Sequence, residues 1–146
     1  MDDSTFAAAL SLAGKINIGK DDVRFNLTSG DGIGRYVGVN FANDAVIDGA
    51  GGLEAISGWA GFVGWRHIWN DKLRTNLMYS MSRYDNDVAL TGLTANESTS
   101  SWAVNAFYSP LSKLDIGVEL RQAEREIESG ADGSMNRLQG VVRYSF

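Results

Sequence analysis

The sequence predicts an all-β fold, an antiparallel transmembrane β-barrel of which about seven strands lie in residues 1–146. Three observations lead to this prediction. Apolar and polar residues alternate over seven runs, short and long connections follow one another in turn, and the chain ends in an alternating run that closes on Phe146. Seventeen glycines and a single proline agree with it, because proline interrupts the hydrogen bonding of a sheet.

The alternating runs are longer than the ~5–6 residues usual in soluble sheets and suit the roughly 9–11 residues of a tilted strand that crosses a bilayer. The runs are joined by two kinds of connection in alternation. Short turns lie at 20–22, 70–72 and 110–112, and longer Gly- and Asp-rich segments lie at 36–54, 85–97 and 128–133. A soluble β-sandwich is the alternative, but a sandwich does not explain strict alternation of short and long connections. The runs cover about residues 6–19, 23–35, 56–69, 73–84, 98–109, 113–127 and 137–146.

Composition narrows the function classes. We expect a single β-barrel segment over residues 1–146. The net charge of −5 argues against nucleic-acid binding, since phosphate contacts need a basic surface. Without cysteine there is no disulfide or thiolate metal site, and we expect no cofactor and no metal. The apolar run 6–14 is too short for a transmembrane helix, and Asp2 and Asp3 precede it where a signal peptide carries positive charge.

The end of the chain indicates an outer-membrane location. Tyr144 and Phe146 close an alternating strand of the type with which bacterial outer-membrane barrels end, and we interpret them as an assembly signal read by the barrel-assembly machinery. Trp65, Trp69 and Tyr108 lie near the short turns and would form an interfacial aromatic girdle facing lipid and lipopolysaccharide.

Strand parity suggests that further strands close the barrel. If Phe146 is periplasmic, the first strand starts on the extracellular side, whereas single-chain bacterial barrels have an even number of strands. We therefore expect the C-terminal portion of a longer barrel, or a segment that other chains close.

The charged residues separate once the apolar face of each strand is assigned to lipid. Nearly all carboxylates, Asp22 among them, fall in predicted turns and loops, and only Asp115 and Glu119 clearly share the inner face. We predict a basic pore that attracts anions. The alternative is that these acids and their neighbours neutralise one another as a structural ladder. The cations predicted to line the pore are Lys15, Arg24, Arg66, Arg74, Lys113, Arg121, Arg125, Arg137 and Arg143.

Several segments in order resemble the DcaP-like porins of Gram-negative outer membranes. They are GRYVGVNFANDAVIDGAGGLEAI from Gly34, GFVGWRHIWNDKLR from Gly61, YSPLSKLDIGVEL from Tyr108, and ESGADGSMNRLQGVVRYSF from Glu128. The resemblance covers roughly residues 30–146. It implies a sixteen-stranded homotrimeric porin for small anionic solutes, with dicarboxylates as the substrate class, and it implies members longer than this chain. No individual binding residue is carried over from it.

Two other functions remain as alternatives. One is a structural or adhesive barrel acting through its extracellular loops, although Tyr36, Phe41 and Tyr84 are the few loop aromatics. The other is an outer-membrane lipase using His67, the only histidine, with Tyr79 or Ser82; the pattern offers no acid to orient that histidine. We therefore expect a channel and not an enzyme.

Overall fold

The structure, a computed structural model, describes residues 4–38 and 41–146, so Asp2 and Asp3 lie outside the described residues. Long strands dominate these ranges, with two helices of one turn between them. Neither helix has the length and apolarity that a bilayer crossing requires. In chain order the elements are β1 (Ala9–Ile18), β2 (Asp21–Asp31), α1 (Gly34–Gly38), β3 (Ala45–Ile47), β4 (Leu53–Ala55), β5 (Ser57–Asn70), β6 (Leu73–Asp85), α2 (Val88–Thr91), β7 (Asn96–Leu111), β8 (Leu114–Ile127) and β9 (Asp132–Tyr144).

Seven of the strands form one antiparallel sheet in the order β1-β2-β5-β6-β7-β8-β9, which confirms the predicted fold class. Each long strand pairs with the next one in sequence, as in an up-and-down barrel wall. The sheet is open, and its edge strands β1 and β9 run in the same direction. An antiparallel barrel therefore closes on these edges only through an odd number of additional strands.

The connections alternate in length as predicted. Three tight turns each leave two residues between strands, at 19–20, 71–72 and 112–113. Gly19 has φ 62°, a left-handed conformation that favours glycine. The third turn lies later than predicted, because a register irregularity between Tyr108 and Leu111 keeps Pro110 and Leu111 inside β7. The opposite end of the sheet carries the connections 32–56, 86–95 and 128–131.

Strand register defines two faces of the sheet. One continuous row of paired residues crosses all seven strands and is polar throughout; we call the face that carries this row the inner face and the other the outer face. Because side chains alternate along a strand, every second residue from the row shares its face. The row is Asn17, Asp22, Arg66, Asn76, Asn105, Glu119 and Gln139.

The outer face is apolar and exposed. Leu12, Leu27, Leu77 and Leu138 are all at least 49% accessible. A soluble chain does not tolerate such a continuous apolar surface, whereas lipid does. The predicted girdle residues lie on this face beside the tight turns, where Trp69 donates to Thr75 Oγ1 at 3.1 Å.

The connection between β2 and β5, residues 32–56, folds over the inner face, and we call it the inner loop. Ile33, Ile56 and Tyr84 are almost fully buried where it meets β6, and Phe41 packs against them. A side chain at Gly34 would collide with the Ala42 carbonyl, so glycine permits this close approach. The sequence predicted only a long extracellular loop here.

Replacing Tyr84 tests how the inner loop is held. The aromatic ring fills the contact with Ile33 and Ile56, and removing a buried aromatic typically costs about 3–5 kcal/mol. We expect Tyr84→Ala to accelerate tryptic cleavage after Arg35 by about tenfold or more, because each 1.4 kcal/mol shifts local opening tenfold. Tyr84→Phe keeps the ring and should cleave at the wild-type rate. Equal rates for wild type and Tyr84→Ala would contradict this packing.

Candidate functional site

The inner face concentrates positive charge. By strand alternation, eight of the nine predicted cations lie on it, whereas Lys113 lies in the turn between β7 and β8. Three carboxylates in the strands share this face: Asp22, Asp115 and Glu119. That the cations line a pore stays a prediction, but the structure shows that eight of them share one face of the sheet. The eight are Lys15, Arg24, Arg66, Arg74, Arg121, Arg125, Arg137 and Arg143.

Asp22 is the centre of the first charge cluster. Its side chain is 1% exposed and lies between Arg24 Nε at 2.8 Å, Lys15 Nζ at 3.9 Å, and the Arg66 guanidinium. The sequence placed Asp22 in a turn, but β2 begins at Asp21 and directs Asp22 to the inner face. This is a correction, because an acid predicted to lie in the turn neutralises part of the basic wall.

The second cluster surrounds Asp115 at the start of β8. Arg74 Nη2 lies 3.2 Å from Asp115 Oδ2, the Arg143 guanidinium contacts the same oxygen, and Ser109 Oγ donates to Oδ1 at 2.5 Å. Arg74 also lies over the Phe107 ring, 4.8 Å from its centroid, a cation–π arrangement. One carboxylate thus holds cations from the two strands β6 and β9.

The third cluster lies further from the tight turns. Glu119 Oε1 accepts from Arg121 Nε at 3.3 Å and from Arg137 Nη2 at 3.1 Å. Asn105 Nδ2 donates to the other carboxylate oxygen at 3.3 Å. Arg125, four residues beyond Arg121, has no ion pair within the described part of the chain.

The predicted ladder of compensating charges is therefore present, but it leaves cations in excess. Each of the three carboxylates contacts two or three cations. Local neutralisation is therefore incomplete, because eight cations on this face stand against three carboxylates.

An open cavity of about 1170 Å³ lies between the inner loop and the inner face. Tyr36 and Asp44 line it from the loop, and Arg121 and Arg137 line it from the wall. Asp44 is paired with Arg35 at 3.2 Å, and Asp31 at the end of β2 also lines the cavity and accepts from Ser57 Oγ at 2.5 Å. Hydroxyls continue the wall, with Ser80 and Ser101 joined at 2.9 Å. Sequence reasoning missed the loop side of this cavity, since no periodic signal marks an irregular segment.

His67 lies on the outer face, as strand parity predicted. Its Nδ1 is 2.7 Å from Asp21 Oδ2, and its ring lies between Trp65 and Trp69, with centroid distances of 5.3 and 4.4 Å. The sequence pattern revealed no acid beside this histidine, and Asp21 corrects that. Of the two partners in the lipase alternative, Ser82 lies on the inner face, so the sheet separates it from His67. Tyr79 shares the outer face with His67 but pairs with Val63, four residues further along β5.

Comparison with known proteins identifies a protein family and a similar fold. The model of the DcaP outer membrane protein family matches residues 2–146, which extends the resemblance over the first thirty residues as well. The crystal structure of the outer membrane channel DcaP of Acinetobacter baumannii is similar in fold, with a TM-score of 0.88 at 22% sequence identity. The match covers 96% of this chain and 41% of that channel. A search of curated proteins found no match.

Asp22→Asn tests the first cluster. Without the carboxylate charge, Lys15, Arg24 and Arg66 lose their shared partner and repel one another. In the assembled barrel we expect unfolding a few degrees below the wild-type temperature, read from the heat-dependent mobility shift on a denaturing gel. Asp71→Asn removes the same charge from an exposed turn and should unfold with wild type. An unfolding temperature of Asp22→Asn equal to that of Asp71→Asn would show that the cluster contributes nothing.

Proposed function

Because the chain belongs to the DcaP outer membrane protein family, we propose that it forms part of the wall of a porin for passive diffusion of small anionic solutes such as dicarboxylates. The family is one of the Gram-negative outer membrane, and the structurally similar protein is a channel. The chain spans about two fifths of that channel's length, so the closed pore includes further strands. The carrying observation is the excess of cations over carboxylates on the polar face of the sheet.

The physical argument is electrostatic. Guanidinium and ammonium groups along a water-filled passage raise the local concentration of anions and lower their entry barrier. Arginine also matches a carboxylate with two parallel hydrogen bonds, so dicarboxylates are a reasonable solute class. The cavity under the inner loop brings Arg121 and Arg137 to the side of the proposed path.

The surroundings follow from the same proposal. The outer face contacts membrane lipid and lipopolysaccharide, with Trp65, Trp69 and Tyr108 as the girdle. Tyr144 and Phe146 on the last strand serve recognition by the barrel-assembly machinery, and the closed channel is a homotrimer. We propose no enzymatic activity and no cofactor.

An adhesive role has weaker support than a channel. Tyr84 is buried and Phe41 packs against the loop core, which leaves Tyr36 as the exposed aromatic of the three.

A salt gradient across a planar bilayer tests the function directly. With the assembled channel that contains this chain in a potassium chloride gradient, we expect a reversal potential of the sign for chloride preference. The reason is the net positive inner face. A reversal potential of the cation-selective sign, or no conductance, would refute the anion-porin proposal.

Neutralising individual arginines tests which side chains set the ion selectivity of the channel. We expect Arg74→Gln combined with Arg121→Gln to reduce the chloride-to-potassium permeability ratio by about twofold or more. This is less than the roughly fivefold effect of a full charge at contact distance in water, because Asp115 and Glu119 already offset these arginines. Arg83→Gln is the matched control, since Arg83 lies on the outer face, where it pairs with Glu97 at 2.5 Å. An unchanged ratio in the double variant would place Arg74 and Arg121 away from the ion path.

A further inference from the structure

Arg121 and Arg137 already hold a carboxylate in the structure. They are direct cross-strand neighbours on β8 and β9, and we call them the arginine pair. Both donate to one oxygen of Glu119, at 3.3 and 3.1 Å. Like charges directly opposite in a sheet repel, so the carboxylate between them also offsets that repulsion. The pair is thus built to accept a carboxylate, and the chain supplies one.

The arginine pair remains accessible to a solute. Arg137 is 46% exposed and Arg121 is 24% exposed, and both line the cavity under the inner loop. Each guanidinium has five N–H donors, and within the described residues each uses one on Glu119. Glu119 itself is held from a third side by Asn105. The two cations and the one fixed carboxylate of this group together carry one net positive charge, while Asp31 and Asp44 line other parts of the same cavity.

We propose that Glu119 is an internal counter-anion that sets the affinity of the arginine pair for solute carboxylates. An arriving carboxylate shares the two guanidiniums with Glu119 or displaces it, so the solute binds weakly and leaves readily. A channel needs this balance, because a site that binds too tightly stops conduction. The inference rests on the proposed anion channel and adds the residue that tunes solute residence at one site.

Glu119→Gln is the test, with succinate as the probe. The substitution keeps the size of the side chain, removes its charge and leaves only a neutral amide oxygen, which competes more weakly for the guanidiniums. In the assembled channel in potassium chloride, the apparent Kd from succinate-induced interruptions of single-channel current should decrease about fivefold, the Coulombic effect of one charge at contact distance in water. Succinate dwell times should lengthen by a similar factor. Arg137→Gln should instead weaken succinate binding.

Glu124→Gln is the matched control, because Glu124 lies on the same strand but on the outer face. It should leave succinate affinity at the wild-type value. Unchanged or weaker succinate binding in Glu119→Gln would overturn the inference, since a carboxylate that merely positions the arginines predicts weaker binding. Equal tightening in Glu124→Gln would also overturn it, as a general charge effect. A cation-selective wild-type channel would refute the proposed function instead, and the two failures are therefore distinguishable.

Discussion

The hydrogen bonding of the strand backbone is the constraint on which the rest of this structure depends. In lipid a backbone N–H or C=O finds no water, so every strand must pair with both of its neighbours. Seven strands pair here in unbroken antiparallel order. Strand pairing fixes the register. Because side chains alternate along a strand, the register then determines on which face of the sheet each residue lies. The polar row from Asn17 to Gln139 is the direct result.

Strand register separates the charges of a mildly acidic sequence. Most cations of the strands lie on the inner face, whereas most carboxylates lie in the connections or on the outer face. The three inner carboxylates then determine how that charge is presented. Asp22, Asp115 and Glu119 each join cations from different strands, so they stabilise the wall and also moderate its field. The proposed selectivity is the difference between these opposing contributions.

Much of the wall could be predicted because strand signals are local. The seven runs, the tight turns and the outward position of His67 follow from alternation alone. An error arose where one residue of shift changes a face, because Asp22 belongs to β2 and not to the turn. The end of β7 was misjudged because a register irregularity keeps Pro110 within the strand.

The sequence by itself determined the strands, their two faces and the family, because each depends on patterns that a few neighbouring residues carry. Only the tertiary structure decided which charges meet. Arg74 reaches Asp115 across β7, and Arg143 reaches the same carboxylate from β9. Only the tertiary structure placed the inner loop against β6, where Ile33 and Tyr84, far apart in sequence, pack together, so that the loop and the arginine pair line one cavity. Such long-range contacts have no local period by which a sequence could reveal them.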